Sequence, residues 1–159
     1  ILYFGANKLT STTAFALRDM LKQNNKLKKI DLGYNDLQNE GVIALAEALR
    51  TNCALETLVL EGNQISDIGA IAIANAIQSN QCYPNGLIKL HIGGNNILMD
   101  GAKAFASALR TDPPLQTLDL GFNGIQDEGA RSIMESLRYN VNLKLLDVES
   151  NYLTYNNWH

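Results

Sequence analysis

The sequence predicts an α/β right-handed solenoid, a horseshoe with parallel strands on its concave face and helices on its convex face. Three observations carry that expectation. One asparagine recurs at a fixed spacing, an apolar frame recurs around it, and a stripe of helical period follows each frame. The asparagines are Asn7, Asn35, Asn63, Asn95, Asn123 and Asn151, which by subtraction stand 28, 28, 32, 28 and 28 residues apart. Self-similarity at such a period means that each unit buries its apolar side against its neighbours.

The frame reads Leu27, Ile30, Leu32, Asn35, Leu37, then Leu55, Leu58, Leu60, Asn63, Ile65, then Leu87, Leu90, Ile92, Asn95, Ile97. Leu115, Leu118, Leu120, Asn123, Ile125 and Leu143, Leu146, Val148, Asn151, Leu153 complete it, and a shortened first copy shows Leu2, Phe4, Asn7 and Leu9. Within the copy that begins at Leu115, Leu118 and Leu120 alternate with Thr117 and Asp119, the period of a strand with one buried face. A parallel neighbour must be reached by a crossover on one side of the sheet. That crossover is a helix, because Ala130, Ile133, Met134 and Leu137 fall on one stripe, as do Val42, Leu45, Ala46, Leu49 and their equivalents in the other repeats. Asn39, Asp67 and Asp127 mark helix starts, where a short polar side chain accepts from free first-turn amides. Gly41, Gly69, Gly101 and Gly129 share one position near those starts, which calls either for close packing or for an unusual backbone angle.

The asparagine column is expected to be scaffolding. A side-chain amide supplies both donors and an acceptor for backbone groups left unpaired where strand becomes turn. The irregular interval falls at Gln81 to Gly86, where Pro84 and Asn85-Gly86 provide turn chemistry and four extra residues are inserted. Asp112-Pro113-Pro114 reads as a rigid turn at a helix end. Residues 1–159 form one domain of about five and a half repeats, and both ends interrupt a repeat, as in a segment of a longer chain. Tyr152, Tyr155 and Trp158 are candidates to cover the last repeat.

The pattern LxxLxLxxNxL resembles the leucine-rich repeat, and the period resembles its ribonuclease-inhibitor-like subclass. GNQISDIGAIAIANAIQSN and FNGIQDEGARSIMESLRYN look like repeats in the C-terminal arrays of NOD-like receptors. The resemblance implies a regulatory or innate-immune-type sensor that binds a protein. It is also similar to the Ran GTPase-activating protein, which implies the alternative of a GTPase activator, although the acidic tail of that family is missing here. Ribonuclease inhibitor is cysteine-rich and alternates two repeat types, whereas this chain has two cysteines and one type.

Composition narrows the partners. With 46% hydrophobic and 18% charged residues and a net charge of −3, nothing points to nucleic acid or to a membrane surface. No apolar run is long enough to cross a bilayer. Cys53 and Cys82 read as free thiols of a reducing cytoplasm. Two thiols without a CxxC, and histidines only at His91 and His159, speak against a metal site, and no cofactor motif occurs.

The exposed columns of the strands are the candidate site. One holds Tyr3, Asp31, Val59, His91, Asp119 and Asp147; the next holds Gly5, Gly33, Glu61, Gly93, Gly121 and Glu149; a third holds Ala6, Tyr34, Gly62, Gly94, Phe122 and Ser150. Six strands about 4.8 Å apart make a face roughly 24 Å across, wide enough for a protein or peptide rather than a small substrate. Its expected binding residues are Asp31, Tyr34, Val59, Glu61, His91, Asp119, Phe122, Asp147 and Glu149, with Tyr34 and Phe122 as anchors and the acids favouring a basic partner. On this reading, lysine at positions 119 and 147 weakens capture without lowering the melting temperature. The convex helices and the Gln81 to Gly86 loop are the other surfaces on which a partner could sit. His91 and Asp119 occupy one column on adjacent strands as a base and its orienting acid would, but no nucleophile stands with them, so an enzyme is not expected.

Overall fold

Each period folds once into a short strand, a turn and a helix. The computed structural model describes residues 1–154. Its elements are β1 (Leu2–Tyr3), α1 (Ser11–Gln23), β2 (Lys29–Asp31), α2 (Gln38–Leu49), β3 (Thr57–Val59), α3 (Asp67–Gln78), β4 (Lys89–His91), α4 (Met99–Leu109), β5 (Thr117–Asp119), α5 (Gln126–Ser136) and β6 (Leu145–Asp147). The strands form one parallel sheet in the order β1-β2-β3-β4-β5-β6, so every connection returns over the same side. Leu2, Ile30, Leu58, Leu90, Leu118 and Leu146 are partners in register. The frame read from the sequence is therefore the ladder itself, and the four extra residues leave it unshifted between β3 and β4.

The core lies between sheet and helices. Ile30, Leu58, Leu90 and Leu118 meet Leu45, Ile73, Phe105 and Ile133 there, all at most 1% exposed. Burying one such side chain contributes about 1.5–3 kcal/mol. Ala46, Ala74 and Ala106 are buried between neighbouring helices, where a larger residue would push the repeats apart. Met134, at the equivalent place in α5, is 50% exposed rather than buried, because among the described residues no sixth helix packs against it. Tyr152 is 80% exposed and does not cover the last repeat. Tyr155 and Trp158 lie outside the described residues.

The asparagine column is the internal scaffold anticipated from its repetition. Asn95 donates from Nδ2 to the carbonyls of Leu60, Ile92 and Gly93 at 2.9–3.1 Å, and its Oδ1 accepts from the amides of Asn63 and Ile65 at 2.9 and 3.0 Å. One amide thus joins two repeats at the end of their strands. A second column, Asn24, Asn52, Asn80, Asp112 and Asn140, stands at the helix ends. Asn52 donates to the carbonyls of Leu21 and Asn24 and accepts from the amides of Ala54 and Leu55. Asn80 and Asn140 donate to the carbonyls of Leu49 and Leu109 in the same manner. It repeats at the same period as the first column, and that period is the signal by which it could have been found.

The helix-start residues act differently from expectation. Asn39 does not cap its own helix; its Oδ1 accepts from the amides of Ser66 and Gly69 at 2.9 and 3.0 Å, at the start of α3. Asp67 does the same for Leu98 and Gly101 at the start of α4, both at 2.8 Å, and Asp127 accepts from the Thr154 amide. Asn39 and Asp67 thus satisfy free amides at the start of the following helix, and the Asp67 carboxylate also meets the positive end of the helix dipole. This geometry accounts for the glycine column through close packing, not backbone angle. A Cβ on Gly101 would stand 2.6 Å from Ile97 Cγ2 and 2.7 Å from Asp67 Oδ1. Thr13, at the same position in the first repeat, has no repeat ahead of it among the described residues. Gly101→Ala is expected to destabilise by about 1–2 kcal/mol, because overpacking outweighs the roughly 1 kcal/mol gain in helix propensity. A urea unfolding midpoint equal to or above that of the parent would remove this account.

Candidate functional site

The first exposed column carries its aspartates in one local arrangement. Oδ1 of Asp31, Asp119 and Asp147 accepts from the amide two residues on, at Gly33, Gly121 and Glu149, over 2.9–3.1 Å. The three carboxylates are half-buried at the strand ends, and Asp119 Oδ2 faces His91. An Asp→Lys exchange at 119 or 147 would therefore remove a backbone acceptor as well as a charge, so lysine is a poorer probe than the sequence implies. Asparagine keeps the acceptor and removes the charge.

The third column has an unusual backbone. Ala6, Tyr34, Phe122 and Ser150 have φ between 53° and 58°, and Gly62 and Gly94 have φ of 59° and 62°. That left-handed conformation suits glycine and costs an L-residue about 1–2 kcal/mol. Yet Tyr34 and Phe122 occupy it, 68% and 61% exposed. A Cβ on Gly62 would stand 2.8 Å from Tyr34 Cδ1, so the ring lies across the next repeat's glycine.

A groove of about 340 Å³ runs over these strands, lined by Tyr34, Glu61, Gly93, Gly94, Asp119, Gly121, Phe122, Asp147 and Glu149. Six of the nine residues expected from the sequence meet there, and bare glycines form its floor. Asp31, Val59 and His91 share the concave column without lining the groove. Phe122 also borders a second depression of about 480 Å³ with Leu98 and Tyr152, so its ring forms a ridge between the two.

Charge is distributed unevenly between the faces. On the helices, Asp19 and Glu47 meet Arg18, while Glu128 meets Lys103 and Glu135 meets Arg110. Hydrogen bonding from the Lys103 ammonium holds the Glu128 carboxyl below its usual range, and Arg18 does the same for Asp19. On the concave face, among the described residues, no lysine or arginine lies within 4.0 Å of the carboxylates of Glu61, Asp119, Asp147 or Glu149. His91 Nδ1 alone approaches, at 3.5 Å from Asp119 Oδ2 and 3.9 Å from Glu61 Oε1. Asp19, Glu47, Glu128 and Glu135 on the helices thus have a lysine or arginine partner, whereas Glu61, Asp119, Asp147 and Glu149 on the concave face have none among the described residues.

The cysteines are not free thiols. Cys53 and Cys82 form a disulfide, with Cα atoms 5.2 Å apart, across the helix-to-strand links of neighbouring repeats. Sequence spacing alone hides this, because 29 residues separate the two and only the stacking of repeats brings them together. The bridge ties down the inserted loop, where the Tyr83–Pro84 peptide is cis and Tyr83 is 67% exposed. No helix among the described residues is long and apolar enough to cross a membrane.

A family model described as a leucine-rich repeat matches residues 23–46, 51–74 and 111–134. The chain is a leucine-rich repeat solenoid. The unmatched interval between the second and third segments holds the insertion, yet its β4 and α4 keep the repeat geometry. The solenoid is similar to the solved structure of leiomodin-1 actin-binding site 2, with a TM-score of 0.71 and 20% identity over 87% of this chain and 78% of that one. That likeness is one of fold. No curated protein matches the chain.

Proposed function

We propose that this leucine-rich repeat solenoid is a protein-interaction scaffold that takes a basic segment of a partner protein on its concave face. The observation that carries the reading is the pair Tyr34 and Phe122. Two aromatic rings stand exposed on a backbone that glycine would fit better, beside carboxylates without cationic partners. Strained backbone at an exposed aromatic suggests a role outside stability. A guanidinium or ammonium laid against such rings gains cation–π attraction as well as the nearby negative charge. Leiomodin-1 gives a precedent for a solenoid of this shape serving as a protein-binding site. A full helix of 11 to 13 residues in each complete repeat supports placing the chain in the ribonuclease-inhibitor-like subclass, and that placement in turn supports a regulatory or sensor role.

Binding of arginine-rich and aspartate-rich peptides, followed by fluorescence polarisation, tests the reading. Phe122→Gly is expected to weaken capture of the basic peptide by roughly thirtyfold, a loss of about 2 kcal/mol at a hot spot. Its melting temperature should stay level or rise, since Gly62 and Gly94 already occupy the equivalent position with positive φ. Asp119→Asn with Asp147→Asn should weaken capture further while keeping the backbone bonds. Equal binding of acidic and basic peptides, or a Phe122→Gly protein that unfolds early and binds normally, would overturn the proposal.

A further inference from the structure

Three successive strands each bring one donor to the same point on the concave face. Glu61 follows β3, His91 ends β4 and Asp119 ends β5. One donor atom from each lies within 4.8 Å of the other two, and all three residues are half-buried. The imidazole nitrogen Nδ1 carries at most one hydrogen, yet it faces a carboxylate on either side, at 3.5 and 3.9 Å. One hydrogen cannot serve both carboxylates well. A cation placed between them would satisfy all three groups.

We infer that Glu61, His91 and Asp119 form a binding site for one divalent transition-metal ion. Metal–ligand bonds of about 2.0–2.2 Å in tetrahedral geometry place neighbouring donor atoms about 3.4 Å apart. The His91–Asp119 pair already stands near that separation, and Glu61, on the longest and most adaptable side chain of the three, has only to close inward. Asp119 is oriented for the task, because its Oδ1 accepts from the Gly121 amide at 3.0 Å and so leaves Oδ2 toward His91. Such an outer bond fixes a ligating carboxylate. One imidazole with two carboxylates favours ions such as Zn²⁺ over Ca²⁺ or Mg²⁺, which prefer all-oxygen sets. Three protein ligands leave a further position for water or for a group from a partner. The sequence speaks against a metal only when thiols, histidines and short motifs are counted. Glu61 and His91 stand 30 residues apart and His91 and Asp119 28 apart, so the set exists only in the stacked repeats.

The site is tested by isothermal titration of the tag-free chain with ZnCl₂, which needs no partner and so stands apart from the peptide assay. One equivalent of Zn²⁺ is expected to bind saturably. His91→Ala should weaken it by roughly 10- to 100-fold or more, as should Asp119→Asn, which keeps the acceptor for Gly121. His159→Ala should leave binding unchanged. Circular dichroism of each variant without metal separates lost ligation from lost folding, and the Asp119→Asn result decides if His91→Ala does not fold. Absence of saturable binding at millimolar Zn²⁺, or full affinity in the folded His91→Ala or Asp119→Asn protein, would overturn the assignment.

Discussion

Asn95→Ala is expected to lower stability by about 3–5 kcal/mol, because each orphaned buried polar group costs about 1–3 kcal/mol. Alanine at this position leaves the amides of Asn63 and Ile65 without their acceptor, whereas the carbonyls of Leu60, Ile92 and Gly93 each lose one donor and keep another, from Asn63 Nδ2, Asn123 Nδ2 and the Gly62 amide. Asn63, Ile65 and Asn95 are all at most 8% exposed, so water reaches none of them readily. For a chain of this size each kcal/mol moves the melting midpoint by roughly 2–4 °C, so the shift should be plain in a calorimetric scan. Asn96→Ala is the control. Its side chain is exposed, and its backbone amide keeps the bond to the Ile65 carbonyl. An unchanged midpoint for Asn95→Ala would refute a structural role for the column and reopen the question of what it binds. The size of the expected effect also explains the repetition, since every repeat must close the same pair of strand ends.

Strand register, helix phase and the concave columns were legible in the sequence because each is a local pattern repeated along the chain. A residue's face in a strand follows from parity, and its face in a helix from a period of 3.6, so Asp119, Phe122 and Glu149 could be placed on one surface before any contact was known. What escaped was anything set by stacking. Asn39 and Asp67 look like caps for their own helices, since a cap is sought beside the helix it serves. Their oxygens instead reach the amides one repeat ahead, a distance no local window contains. Met134 fits the buried stripe by phase, but phase cannot tell whether a further helix covers it. The left-handed backbone at Tyr34 and Phe122 was hidden because bulky residues occupy it, whereas at Gly62 and Gly94 the residue type itself announces it. Glu61 and His91 fall in different columns two residues out of step, so their approach depends on side-chain reach rather than register.

Loss of the Cys53–Cys82 bridge is the second large effect, with about 3–4 kcal/mol expected from the loop it closes. The two residues are 29 apart, and cross-linking a loop of that length removes conformational entropy from the unfolded chain. Cys53→Ser with Cys82→Ser should therefore melt well below the parent under non-reducing conditions and match the parent once reductant is added. The hydrogen bonds around the bridge localise the change. Asn80 accepts from the Cys82 amide and donates to the Leu49 carbonyl, so the start of the inserted loop stays attached while its outer residues gain freedom. Amide exchange should accelerate at residues 81–86 and stay slow at β3 and β4. The same bond bears on where the protein resides. A cytoplasmic location was expected on the strength of two free thiols, and a disulfide withdraws that support, because such bonds persist chiefly in oxidising compartments. Alkylation of the protein as isolated from its source, followed by intact-mass measurement, separates the cases. No adduct before reduction and two after it would place the chain in an oxidising setting, whereas two adducts at once would return it to a reducing one and leave the loop to its hydrogen bonds alone.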